Sequence, residues 1–226
     1  MISDKQTSAS AQSFVEAVRG LEEQLFADQL DQDDTTRMKS HGKYSWLYRP
    51  SHHAATGLMR STDIDHLAEA NRRLLSVGAH PAFFERVLVE LGIPPENIVL
   101  ADKDPALSHS AGPIQSAIFD VNDLWPNLGT FDLIIFPESL CICLADRIEK
   151  NLPRDVADVQ EAQLLTHVLR EALNRLRAVG EIRANGPMSH PKVIELMREK
   201  LRKEERELDI QYRRFFLTIR PLSTAA

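Results

Sequence analysis

LLSVGAHPAFFERVLVELGIPPENIVLADKD, residues 74–104, decides the fold. Leu74 to Val77 is an apolar strand that runs into a tight turn at Gly78. Residues 82–91 carry apolar side chains at helical spacing and stop at Gly92 and the Pro94-Pro95 pair. Ile98 to Ala101 is a second apolar strand, closed by Asp102. Strand, turn, helix and strand in this order open a Rossmann-type nucleotide-binding sheet. In such a unit the helix begins where the first strand ends, so backbone amides face a polar or anionic ligand, and an acid closing the next strand can hold a ribose diol. The turn is poor in glycine: His80 and Ala82 stand where small glycines are expected. Ala82 adds only one methyl, a size that a helix-packing position accepts.

Working outward, strand and helix alternate from Arg73 onward, which predicts a doubly wound α/β domain with a mostly parallel sheet. Between Asp102 and a third strand at Ser116 to Phe119, the stretch KDPALSHSAGP has room for one or two helical turns only. Asp132 to Phe136, DLIIF, is almost wholly apolar and belongs in the middle of the sheet. A long helix is predicted over 155–177, a strand over 181–184 after Gly180, and a helix over 191–207. One or two closing strands follow in DIQYRRFFLTIRP, with an antiparallel one expected.

Upstream, Phe14, Val18, Leu21 and Leu25 recur at spacings of four, three and four, so residues 11–30 predict an amphipathic helix whose apolar stripe needs a partner. The polar stretch DQDDTTRMKSHG reads as a connection. Tyr44, Trp46, Tyr48, His52 and His53 then cluster in a chain with only 6% aromatic residues, either as a lid or substrate wall or as packing against the main domain. Thr62 with Asp65 resembles a capping box for a helix over 63–70. The expected organisation is an N-terminal helical extension and lid over 1–60, then a Rossmann-like domain over 61–226.

With 226 residues, 43% hydrophobic and 27% charged, the chain suffices for one such domain and its extension. A net charge of −6 gives no general attraction to nucleic acid or anionic membrane, so a small-molecule partner is favoured. The only two cysteines, Cys141 and Cys143, are too close for an ordinary disulfide staple, and no second pair completes a zinc site. The histidines show no ligand spacing, so no metal is expected. No apolar run reaches the roughly 20 residues that span a bilayer, and MISDKQTSASAQ lacks the apolar core of an export signal, so a cytoplasmic protein is expected.

Four landmarks, LLSVGAHPA, IVLADKD, AIFDVNDLWPNLGTFDLIIF and LRAVGEIRA, occur in the order and at intervals suited to the class I S-adenosylmethionine-dependent methyltransferases. The chain resembles that superfamily over roughly residues 60–220, with a degenerate glycine motif. The resemblance implies S-adenosylmethionine as cofactor and methyl transfer to an acceptor. It implies Gly78, Ala79 and His80 beside the cofactor's methionine portion, Asp102 on the ribose hydroxyls, and Asp120 on the adenine amino group with Val121 beside it. Glu138, in Phe136-Pro137-Glu138-Ser139, falls near the acceptor, as a hydrogen-bond partner or base, or else as a cap for a helix over 140–145. That element lacks the Asn/Asp-Pro-Pro-aromatic motif of nucleic-acid amine methyltransferases, so a small-molecule acceptor is favoured, with Tyr44, Trp46, Tyr48 and His53 covering it.

The chain departs from the family at Ser76, where an acid two positions before the first glycine is usual, and at His80, which either crowds the methionine end or donates to its carboxylate. Asp102 and Asp120 also have turn-capping alternatives. Two other functions fit parts of the pattern. A nicotinamide dinucleotide oxidoreductase would use Gly78 and Asp102, but Phe83 stands where the last glycine of its fingerprint belongs. A non-catalytic scaffold or regulatory protein would keep the fold and use the N-terminal helix to pair with itself or a partner.

Overall fold

The computed structural model describes residues 11–26, 49–79, 81–137, 140, 147–148, 152–185, 191–203, 207–213 and 216–222. Seven strands, β1 (Leu74–Val77), β2 (Ile98–Asp102), β3 (Gln115–Ile118), β4 (Phe131–Phe136), β5 (Leu176–Asn185), β6 (Leu208–Arg213) and β7 (Phe216–Pro221), form one sheet in the order β3-β2-β1-β4-β5-β7-β6. β1 to β5 pair in parallel, whereas β7 is antiparallel to both β5 and β6. Only two residues separate β6 from β7, too few for the crossover a parallel pair needs, so they can join only as a hairpin. β1 and β4 are buried along their whole length, which is why both read as apolar runs.

The helices are α1 (residues 11–26), α2 (Pro50–Ala55), α3 (Ser61–Ala68), α4 (Phe83–Glu90), α5 (Leu107–Ser110), α6 (Arg154–Leu173) and α7 (Pro191–Arg202). Strand alternation divides the sheet's side chains between two cores. Leu75, Val77, Val99, Ala101, Ile134 and Phe136 pack with α6 and α7. Leu74, Ile98, Leu100, Leu133 and Ile135 face the other way, toward Leu67 of α3, Phe84 and Leu88 of α4 and Leu107 of α5. Ser76, on the same face as Leu74, therefore lies under α4.

The apolar stripe of α1 finds its partner within the chain: Val18 and Phe26, flanked by Phe14, Leu21 and Leu25, pack on Ala54 of α2 and on Phe83 and Val87 of α4. α4 is thus held between the sheet and α1. Glu22, buried on the same helix, accepts the Ser51 amide at 2.8 Å and so satisfies a free NH at the start of α2.

Four boundaries differ from expectation. α6 stops at Leu173 because Leu176 pairs with Phe131 and belongs to β5; the register slips between Phe131 and Leu133. Gly180 permits that slip, since a Cβ there would lie 2.9 Å from the Asp132 carbonyl. α7 ends at Arg202. α3 starts at Ser61, where the Arg60 amide donates to Asp63 at 2.6 Å, in place of the Thr62–Asp65 box. Among the described residues no helix is long and apolar enough to cross a membrane.

Candidate functional site

From β1 the chain moves outward to β2 and β3, then returns to β4 on the opposite side of β1. At such a reversal the loops leaving the two central strands diverge, and a ligand crevice opens at their carboxyl ends. The cavity at this point is small, about 20 Å³, and is lined by Gly78, Ala79 and Pro81 of the β1–α4 turn, by Phe84 and Glu85 of α4, by Pro137 after β4, and by His53 of α2.

Gly78 takes a left-handed φ of 74°, and its amide and that of Ala79 donate to the Ala101 carbonyl at 2.7 and 3.3 Å. The turn is therefore stitched to β2, and these two amides point along the sheet. Ala82, the residue before α4, is also left-handed, at φ 65°. The expectation that its methyl is a simple packing substitution is corrected: a Cβ in this conformation costs about 1–2 kcal/mol. It is the backbone angle, more than the space, that favours glycine there.

Glu85 is 1% exposed and takes a hydrogen bond from the Ser76 hydroxyl. Burial pushes its carboxyl up to about 7; the bonds from Ser76 and its own amide oppose that, and the negative charge of Asp102 adds to it. His53 is 3% exposed, with Nδ1 3.1 Å from Asn185 Nδ2, which also donates to Thr56 Oγ1 at 2.7 Å. Asn185 closes β5, so this bond ties α2 to the carboxyl edge of the sheet. Burial, with repulsion from His52, lowers the imidazole to about 3 and keeps it neutral.

Asp102 closes β2 as expected, and its Oδ1 accepts the Asp104 amide at 2.9 Å. Phe119 donates to the Asp102 carbonyl at 3.0 Å, which sets Asp120 just beyond the adjoining strand end. Oδ1 of Asp120 holds the amide and side chain of Asn122, each at 2.9 Å, and Oδ2 accepts from Arg147 at 2.8 Å. Burial opposes ionisation of Asp120, but Arg147 and Asn122 hold its carboxyl below the ordinary range. Both aspartates thus shape their turns while ending neighbouring strands. Val121 is buried in the main core, and its carbonyl takes the Trp125 indole at 2.9 Å. His80, Glu138, Tyr44, Trp46, Tyr48, Cys141 and Cys143 lie outside the described residues. Among the described residues no group of three or more His, Cys, Asp or Glu is placed to hold a metal.

Glu85 is the site residue that motif reasoning missed. Its signal was an acid inside FFERVLV, three and four residues before Leu88 and Val89, on a helix that must face a sheet.

A seven-stranded sheet, parallel except for β7, is the doubly wound, Rossmann-like arrangement with an antiparallel closing strand that the sequence predicted. No family model matches the chain, and no curated protein matches it by sequence. Among solved structures it is similar to a putative S-adenosylmethionine-dependent methyltransferase from Methanococcus maripaludis, at 13% identity over 88% of this chain and 94% of that one, with a TM-score of 0.47. It is also similar to a sugar N-methyltransferase from a Streptoalloteichus species (13% identity, 72% and 85% covered, TM-score 0.47). A TehB-like S-adenosylmethionine-dependent methyltransferase from Corynebacterium glutamicum is a third (15% identity, 78% and 96% covered, TM-score 0.46).

Proposed function

We propose that the chain is an S-adenosylmethionine-dependent methyltransferase that acts on a small-molecule acceptor in the cytoplasm. The observation that carries this reading is the succession, along the carboxyl edge of the sheet, of the Gly78 turn after β1, Asp102 closing β2 and Asp120 just beyond β3. The donor set fits the cofactor. Asp102 offers an acceptor for a ribose diol, Asp120 an acceptor for an exocyclic amine once Arg147 yields, and the Gly78–Ala79 backbone a surface for the methionine end. When bound, the cofactor supplies a methyl group already activated by its sulfonium.

The chain's own task is then to hold an acceptor in line and keep water out. Neutral His53 forms one wall for it, and residues 1–60 supply the cover, with Tyr44, Trp46 and Tyr48 as its aromatic part over the 61–226 domain. Glu138, one residue past Pro137, is the acceptor-side candidate for hydrogen bonding or proton removal. The engagement of Asp120 by Arg147 and Asn122 favours one second reading, a retained shell that binds no cofactor. Calorimetric titration with S-adenosylmethionine and S-adenosylhomocysteine separates the two. Binding that weakens at least about tenfold in Asp102→Ala is expected, a loss in the range of hydrogen bonds to a charged group. No binding at about millimolar ligand, with Asp102→Ala indistinguishable from the parent, overturns the reading.

A further inference from the structure

We propose that Glu85 is the anionic anchor for a ligand's ammonium group, presented from helix α4 and not from strand β1, and that filling this anchor releases a proton from the protein. The inference rests on the methyltransferase reading, in which the ammonium belongs to the amino-acid portion of the cofactor.

Glu85 lines the same crevice as Gly78 and Ala79. Its partners are the Ser76 hydroxyl from β1 and its own amide; among the described residues no cation pairs with it. The described charged and titratable groups around it do not supply one either. Asp102, at the end of β2, carries the same sign, and His53 of α2 is neutral. Among the described residues, the turn and the segment after β4 contribute Pro81 and Pro137, which carry no charge; His80 and Glu138 of the same two segments lie outside them.

Below about pH 7 a buried carboxyl in this position keeps its proton until a cation arrives, because an unpaired buried anion is costly. The site is nevertheless built to accept the anion. Glu85 sits in the first turn of α4, where free amides and the helix dipole favour negative charge, and the Ser76 hydroxyl donates to it. Ser76 can reverse its hydroxyl and accept when the carboxyl is protonated. The exchange balances: the Glu85 acid and a ligand ammonium become a carboxylate–ammonium pair, and one proton passes to solvent.

S-adenosylhomocysteine, which keeps the ammonium, and methylthioadenosine, which lacks the amino-acid portion, are the probes. Calorimetry in buffer pairs of different ionisation enthalpy should show S-adenosylhomocysteine releasing close to one proton at about pH 6 and almost none at about pH 8, with affinity rising about tenfold between them. Methylthioadenosine should release none. Glu85→Gln should abolish the proton release, weaken S-adenosylhomocysteine about tenfold or more at about pH 8, and leave methylthioadenosine unchanged. S-adenosylhomocysteine binding without proton release, or bound equally by Glu85→Gln, overturns the anchor and leaves the methyltransferase reading standing. Equal weakening of both probes makes Glu85 a structural residue and also overturns it. Binding of neither probe by the parent protein removes both proposals.

Discussion

Replacing Glu85 by Gln should turn a stability that is nearly level in mildly acidic solution into one that climbs with pH. Glu85 moves from 4.5 to about 7 on folding, so the native state holds its proton more tightly than the unfolded chain. Its contribution is complete below 4.5 and is lost as pH rises through 7, at about 1.4 kcal/mol per pH unit and about 3 kcal/mol in all. His53 has the opposite sign. It moves from 6.5 to about 3, so its contribution is complete above 6.5 and is lost as the unfolded chain takes up the proton on acidification. Between 4.5 and 6.5 the two slopes are about equal and opposite, and they cancel.

Glutamine mimics the protonated acid and removes only the Glu85 slope. Urea denaturation of the parent and Glu85→Gln at half-unit steps from about pH 4.5 to 8 should show the variant gaining about 3 kcal/mol on the parent across the range. His53→Gln should uncover the reverse trend, falling by about 2–3 kcal/mol between about pH 4.5 and 6.5. Parallel curves for parent and Glu85→Gln would refute the reasoning, because they would mean that Glu85 holds its proton equally in both states.

Four further outcomes test the frame around the site. Asp132 accepts from the Arg73 amide at 2.8 Å, from Arg72 at 3.0 Å and from Arg177 at 2.8 Å, and these bonds overcome burial to hold its carboxyl below the ordinary range. Asp132→Asn should cost about 2–3 kcal/mol at neutral pH, and its urea curve should converge on the parent's as acid protonates the carboxylate. Gly78→Ala should lose about 1–2 kcal/mol at a left-handed φ. Ala82→Gly relieves the same strain, but the freer unfolded chain takes back about 0.4–1 kcal/mol and the lost methyl about 0.8 kcal/mol, so calorimetric melting should place it within about 1 kcal/mol of the parent. Val18→Asp puts a carboxylate where α1 meets α2 and α4, at a site with no solvent exposure, and should detach α1. Limited proteolysis should then cut within residues 11–26 while the sheet stays protected; unchanged resistance would show that α1 does not depend on this contact.

The central strands were readable because burial on both faces leaves no polar alternation to misplace, and β1 runs from Leu74 to Val77 as its apolar run does. Two boundaries were not readable, for one shared reason. Leu173 and Leu176 continue the helical spacing of α6, but the second is claimed by Phe131, more than forty residues earlier in the chain. Thr62–Asp65 and Arg60–Asp63 offer the same three-residue spacing for a cap. The second wins, and its Asp63 is also bound at 3.0 Å by Arg183, a nearly buried cation on β5. Each choice depends on a partner far away in sequence, which local propensity does not contain.

The site divides along the same line. The positions of Asp102 and Asp120 at the ends of neighbouring strands were legible because strand ends are local features. Ser76 was read as the loss of an acid, since a motif compares positions one by one. Physical pairing follows another logic. A strand of period two places Ser76 on the face of Leu74, and a helix of period 3.6 places Glu85 with Leu88, so two polar residues interrupt two apolar surfaces that must pack together. Buried polar groups that meet no partner are costly, so the two interruptions either face each other or destabilise the unit. Here they face each other. The β1–α4 unit therefore still holds a carboxyl beside its turn, nine residues later than the motif places it.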